Sequence, residues 1–150
     1  MPLARSAGLT SLADLTTPGL KLVVAAESVP VGAYTRKVLS KLDATYGDDY
    51  SMRVLANVVS NEDNVEGVLT KVRLGEADAG FVYVTDAKAA GSAVRSIELP
   101  DAAQAVATYP IAVVRSTTNR TVAAEFVDFV LGAAGQALLR QAGFGPPPPS

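Results

Sequence analysis

Three short turns in this sequence carry groups that can bind a small anion without a charged side chain. In the first, Pro30 fixes the backbone before a predicted helix, so the N–H groups of Val31 and Gly32 lie at the positive end of that helix. A glycine at this position also lets a ligand approach the backbone closely. The pattern is typical of an oxyanion site, although an ordinary helix start has the same residues and is the more common case.

Two further turns add hydrogen-bond donors of the same neutral kind. The N–H groups of Asn64 and Val65 lie in the first turn of another predicted helix, and Tyr83 closes a buried strand. Open α/β sheets bind ligands at the carboxyl ends of their strands, so a phenol at this position can contact a ligand. Structural alternatives remain open: Ser60 and Asp63 can cap the helix by themselves, and Tyr83 can be a core-edge tyrosine bonded to backbone.

Composition excludes several classes of function. The 150 residues include no Cys and no His, so conventional zinc sites, thiol catalysis and Ser-His-Asp catalysis are absent from this sequence. With 13 basic and 15 acidic residues and no basic block, a nucleic-acid partner has little electrostatic support. The acidic pairs lack the spacing of a calcium loop. We therefore predict a binding protein that is not an enzyme and that needs no metal and no cofactor.

Strands and helices alternate up to residue 90, which predicts βαβ units and an α/β sheet. Pro110 within an extended stretch favours an edge strand or a strand that crosses between lobes. The predicted elements are a short helix capped by Ser11, strands at 21–26, 52–59, 77–84 and 94–99, helices at 31–45, from the Ser60 capping box to Gly75 and at 85–90, an extended segment at 105–114, helices at 119–131 and on to about 141, and a mobile Pro-rich tail at 145–150.

At this level of detail the sequence resembles the periplasmic molybdate-binding proteins of ABC importers, which are type II extracellular solute-binding proteins. The Val-Pro-Val-Gly turn ending at Gly32, together with the strand that ends at Tyr83, is the more specific part of the match. Matching segments follow in family order at 12–15, 21–34, 63–69, 72–87, 109–114, 126–136 and 143–144.

The resemblance implies a fold and a division of the chain. The expected fold is a three-layer α/β lobe of the type II periplasmic-binding-protein class, in which helices flank a mixed, mostly parallel sheet. Residues 1–144 would be a partial solute-binding protein, with the second lobe at about 8–108 and a return strand and C-terminal helices at about 109–144. The segment that would build the first lobe has no counterpart in these residues.

The resemblance also implies the ligand and its donors. A tetrahedral oxyanion, molybdate or tungstate, would be held by the Val31 and Val65 N–H groups and the Tyr83 hydroxyl, with Gly32 and Asn64 beside them. Two serine-bearing turns of the family's first lobe find no match, so we expect weak or no binding by this chain alone. Sulfate, phosphate or a small organic solute stays open as the ligand, and so does an effector-sensing domain of a transcription regulator.

Partners and location follow from the same resemblance. The membrane permease of an ABC importer would recognise the protein when its two lobes have closed over the anion. The protein would be periplasmic or extracellular, with a membrane anchor on a signal that precedes these residues. The apolar face of the C-terminal helices, which includes Phe126 and Phe129, would lack its normal cover. We expect such a patch to favour a homodimer.

Overall fold

The computed structural model describes residues 2–5 and 8–148, and for Pro2, Ala4 and Arg5 it describes the backbone alone. The chain divides into two units, Met1–Val106 and Ala107–Ser150. The predicted Pro-rich tail lies partly outside the described residues, since positions 149 and 150 are not among them.

The first unit contains a mixed sheet flanked by helices. Its strands are β1 (Pro2–Arg5), β2 (Leu22–Ala25), β3 (Val58–Glu62), β4 (Ala79–Phe81) and β5 (Arg95–Glu98). Its α-helices are α1 (Pro30–Tyr46), α2 (Tyr50–Ala56), α3 (Val65–Arg73) and α4 (Val84–Ala90). Short 3-10 helices occupy Leu12–Thr16, Gly91–Ala93 and Asp101–Ala103.

The strand order is β3-β2-β4-β1-β5. Strand β2 pairs in parallel with both β3 and β4, whereas β1 pairs antiparallel with β4 and β5. All strands except β1 therefore run in one direction. This arrangement confirms the predicted α/β class with a mixed, mostly parallel sheet.

Strand β2 lies at the centre of the core. Its four residues, Leu22 to Ala25, are all at most 1% exposed, as expected for a strand that is covered on both faces. Helix α1 contributes Val38, Leu39 and Leu42, which recur at helical spacing and are fully buried. This packing fixes the start of α1 relative to the end of β2.

The strand predicted at 52–59 is wrong. Residues 50–56 form helix α2, and the strand begins only at Val58. A helix is favoured over a strand here because it buries both Tyr50 and Val54, which lie one turn apart. In addition, the Tyr50 hydroxyl donates to the Leu12 carbonyl at 2.6 Å. The Asp43 carboxylate also accepts hydrogen bonds from the Ser51 N–H and hydroxyl, which stabilises the first turn of α2.

The predicted capping box at Ser60 is also wrong. Ser60 lies inside β3, and Asn64 is the residue that caps α3. The strand predicted at 77–84 is shorter than expected, because it ends at Phe81 and Tyr83 is already the N-cap of α4. Sequence patterns also missed β1, whose four residues carry no clear alternation.

The second unit contains two helices, α5 (Arg120–Leu131) and α6 (Ala133–Ala142), preceded by a segment with no assigned strand at 107–114. Within this unit Tyr109 and Phe144 meet edge to face at 6.0 Å between ring centroids. Among the described residues no single helix has the length and apolar character to cross a membrane; only the α5–α6 pair, bent by 60°, passes that test when taken together.

Candidate functional site

Three helices begin at the same edge of the sheet. Strands β3, β2 and β4 are neighbours and run in parallel, so their carboxyl ends share one edge, and α3, α1 and α4 follow them in turn. The chain passes from β2 outward to β3 and then back across β2 to β4. The β2–β4 boundary is therefore a switch point, the place where open α/β sheets bind ligands. We call this the carboxyl edge.

The turn from β2 to α1 has an uncapped helix start. Val29 is the N-cap, and no side chain closes this end of the helix. The N–H of Ala33 donates to the Val29 carbonyl at 3.0 Å, which leaves Val31 and Gly32 in the first turn without an intrahelical acceptor. The side chain of Val31 is buried, at 2% exposure. The backbone is thus the part of Val31 that can meet a ligand.

Gly32 is required by the packing of the protein itself. A Cβ at this position would overlap the carbonyl oxygen of Ala26 and lie 2.6 Å from its carbonyl carbon. The sequence predicted that this glycine leaves room for a ligand, but the space that it leaves is filled by the backbone after β2. Its lack of a side chain lets the start of α1 lie directly against the end of β2.

The turn from β3 to α3 is capped by a side chain. The Asn64 Oδ1 atom accepts a hydrogen bond from the Gly67 N–H at 2.9 Å. Val65 is the first residue of the helix, so its N–H lies outside the intrahelical ladder. The cap uses only the Oδ1 acceptor of Asn64, so the donors that Asn64 can offer a ligand are its backbone N–H and its side-chain NH₂ group.

A carboxylate next to this turn is neutralised within the protein. Glu62 Oε1 lies 2.7 Å from the Lys71 ammonium, and both atoms also contact the Ser60 hydroxyl. The hydrogen bond from Lys71, and then that from Ser60, lowers the pKa of Glu62. The charge of Glu62 is therefore paired beside the first turn of α3.

Tyr83 lies half-buried at the start of α4. Its N–H donates to Asp86 Oδ2 at 3.0 Å, and its side chain packs against the edge of the core. Burial raises the pKa of Asp86, the Tyr83 N–H opposes that shift, and the charge of Glu66 adds to it. Glu66 is in the first turn of α3, and helices α3 and α4 are in contact.

The structure thus places the Val31, Val65 and Tyr83 turns along one edge, with Gly32 and Asn64 in the same turns. Sequence reasoning missed Arg36, which donates to carbonyls at the β2–α1 junction. No local sequence pattern identifies it, because its acceptors Ala25 and Asn61 lie on two separate strands.

A separate cavity lies away from the carboxyl edge. A space of about 490 Å³ opens at the opposite edge of the sheet, where Leu20 and Asp78 precede β2 and β4, and Asp14 lines it too. Its two carboxylates already accept backbone N–H bonds, and an anion would be repelled by them. Across residues 2–5 and 8–148, no group of three or more acidic side chains is gathered that could hold a metal ion.

Comparison with known proteins identifies the family of this chain. A family model described as bacterial extracellular solute-binding protein matches residues 1–145. The chain belongs to this family. Members of the solute-binding family are binding proteins and not enzymes, and the family's description places them outside the cytoplasm.

Individual relatives of this solute-binding protein narrow the comparison. It is 43% identical over 139 residues to the molybdate-binding protein ModA of Mycobacterium tuberculosis, and 30% identical over 135 residues to ModA of Escherichia coli. These matches cover 93% and 90% of this chain and 49% of each relative. The chain therefore spans about half the length of the curated relatives that it matches.

Solved structures show the same fold. The substrate-binding domain of a molybdenum ABC transporter from Clostridium difficile aligns with a TM-score of 0.75 and 29% identity, over 97% of this chain and 62% of that one. The sulfate-binding protein SubI of Mycobacterium tuberculosis aligns with a TM-score of 0.66 at 18% identity, over 97% of this chain and 56% of that one, and supports the fold alone.

Proposed function

We propose that this chain forms the second lobe of an ABC-importer solute-binding protein and binds a tetrahedral oxyanion, molybdate or tungstate. The observation that carries the proposal is the common edge at which three helices begin with neutral donors. The ligands of the relatives named above support the choice of anion. The membrane permease would act on the two-lobed protein, and an N-terminal signal or anchor would keep it outside the cytoplasm.

The proposed mechanism uses backbone amides and a phenol. The Val31 and Val65 N–H groups and the Tyr83 hydroxyl each donate to an anion oxygen, and the Gly32 and Asn64 amides lie beside them. Oriented N–H groups at two helix starts favour negative charge and replace part of the anion's hydration shell. Closure of a first lobe over the anion would add donors and complete the site.

Nuclear magnetic resonance titration of the ¹⁵N-labelled chain with sodium molybdate tests this proposal, because it detects weak binding and locates it. We expect the largest shifts at the Val31, Gly32 and Val65 amides. Tyr83→Phe should weaken binding about tenfold, since a hydrogen bond to a charged group is lost. Tyr46→Phe is the matched control, because Tyr46 is the last residue of α1, at the end of the helix that lies away from the carboxyl edge.

The same titration separates the competing ligands. Tungstate should shift the same amides as molybdate. Stronger shifts of these amides with sulfate or phosphate would indicate that one of those anions is the ligand, bound at the same site. Shifts confined to other residues, or none with any of these anions, would refute an oxyanion site at the carboxyl edge.

We also propose that the chain forms a homodimer through α5. None of the residues of this helix is buried, and Val122, Phe126 and Phe129 are 50% to 65% exposed. An apolar face of this kind is usually covered by a partner.

Sedimentation measurements test the homodimer. We expect the wild type to sediment as a dimer at high concentration and Phe126→Glu as a monomer, because a buried carboxylate opposes association. Met52→Glu is the control, since Met52 is 67% exposed on α2 in the other unit. A wild type that remains monomeric at every concentration would contradict the proposal.

A further inference from the structure

One guanidinium ties together two of the turns at the carboxyl edge. Arg36 Nη1 donates to the Ala25 carbonyl at 2.8 Å and to the Gly32 carbonyl at 3.2 Å, and Nη2 donates to Asn61 Oδ1 at 3.2 Å. Ala25 ends β2, Gly32 is in the first turn of α1, and Asn61 is in β3. A single planar side chain thus spans two strand ends and a helix start.

The planar fork of arginine is suited to this arrangement. Its N–H groups point in fixed directions, so three acceptors on three elements can be held at once. Lysine carries the same charge at a single point and cannot reproduce that fixed set of directions. Three of the five guanidinium N–H groups are engaged by the protein, and we call this set of hydrogen bonds between β2, α1 and β3 the Arg36 tie.

The tie also acts on the electrostatics of the edge. Strand ends present carbonyl oxygens, which carry partial negative charge and repel an anion. The Arg36 guanidinium covers the Ala25 carbonyl, which lies beside the first turn of α1. A neighbouring backbone bond, from the Ala26 N–H to the Glu62 carbonyl at 2.8 Å, joins the same two strand ends.

We propose that Arg36 is a positioning residue: its guanidinium holds the β2–α1 turn against β3, so that the Val31 and Gly32 amides face the anion. This inference rests on the proposed function for its consequence in binding. The tie itself is a property of the ligand-free chain and can be tested without any ligand.

Amide hydrogen exchange of the ligand-free chain tests the tie. In Arg36→Gln the Ala26 and Val29 amides, which are bonded at the β2–α1 turn, should exchange about five- to tenfold faster. The Leu22 amide, which donates to the Asn57 carbonyl at the opposite edge, should be unchanged and reports global stability. Equal acceleration at Leu22, or none at Ala26 and Val29, would overturn the proposal.

Two further variants separate geometry from charge. Arg36→Lys keeps the charge and should restore less than half of the lost protection, whereas full restoration would overturn the role of the fork. Asn61→Ala removes one acceptor and should give a smaller acceleration at the same amides. Arg53→Gln makes the same change in net charge on α2 and should leave the turn unaffected.

Molybdate titration of the same variants tests the consequence. Arg36→Gln should bind about tenfold more weakly than wild type, with Arg53→Gln unchanged. A loss that Arg36→Lys or high salt abolishes would show a charge effect and overturn positioning. If the wild type shows no molybdate shifts, the proposed function fails, while the exchange experiment still decides whether Arg36 holds the turn.

Discussion

Replacing Gly32 by alanine is expected to destabilise the chain by about 3 kcal/mol. The added Cβ would overlap the Ala26 carbonyl oxygen and lie 2.5 Å from that of Ala25. Both obstacles are backbone atoms at the end of the fully buried strand β2, next to the buried face of α1, so neither can move without shifting β2 or α1. Urea denaturation followed by circular dichroism measures the loss, as a lower midpoint with an unchanged slope.

Two other glycines provide graded controls for this prediction. A Cβ at Gly67 would lie 3.2 Å from the Cβ and Oε2 atoms of Glu62, a tight contact that a small shift relieves, so Gly67→Ala should cost about 1 kcal/mol or less. At Gly145 nothing lies within 4 Å, and Gly145→Ala should be neutral. A Gly32→Ala chain as stable as wild type would show that the end of β2 and the start of α1 are packed less closely than described.

The start of α1 was predictable because every local signal there agrees. Pro30 fits the first helical position, and the apolar spacing that follows matches one buried face. The α2–β3 region was not predictable, because Met52 to Val59 is an apolar run in which helix and strand periods are hard to distinguish. Its structure is decided by distant contacts, above all the Tyr50 hydroxyl bond to Leu12.

Some features of the candidate site could likewise be predicted from the sequence, and others could not. Backbone donors at Val31 and Val65 follow from predicted helix starts, even though the α3 cap was assigned to Ser60 and not to Asn64. The three turns share an edge because their strands are parallel, which the alternation of strands and helices predicts. The order β3-β2-β4 is an observation of the structure, because right-handed crossovers also permit other orders. The Arg36 contacts depend on side-chain geometry across two strands, and no local pattern encodes them.

Replacing Val65 by proline should abolish one proposed donor and leave the fold intact. Proline is favoured at the first position of a helix, where its missing N–H has no intrahelical partner. The preceding residue, Asn64, is extended at φ −160° and ψ 170°, a conformation that a following proline permits. The Asn64 cap on Gly67 is unaffected, so we expect the free energy of unfolding to change by about 1 kcal/mol or less.

Binding, in contrast, should fall about 30-fold in Val65→Pro, because a donor to a charged ligand is lost. Val65→Ala keeps the N–H while shortening the half-buried side chain, so its molybdate affinity should remain within about threefold of wild type. The comparison separates the amide from the side chain at one position, which no substitution at Tyr83 can do. A folded Val65→Pro chain that binds molybdate as tightly as Val65→Ala would remove the α3 amide from the site and leave α1 and Tyr83 as its only proposed donors.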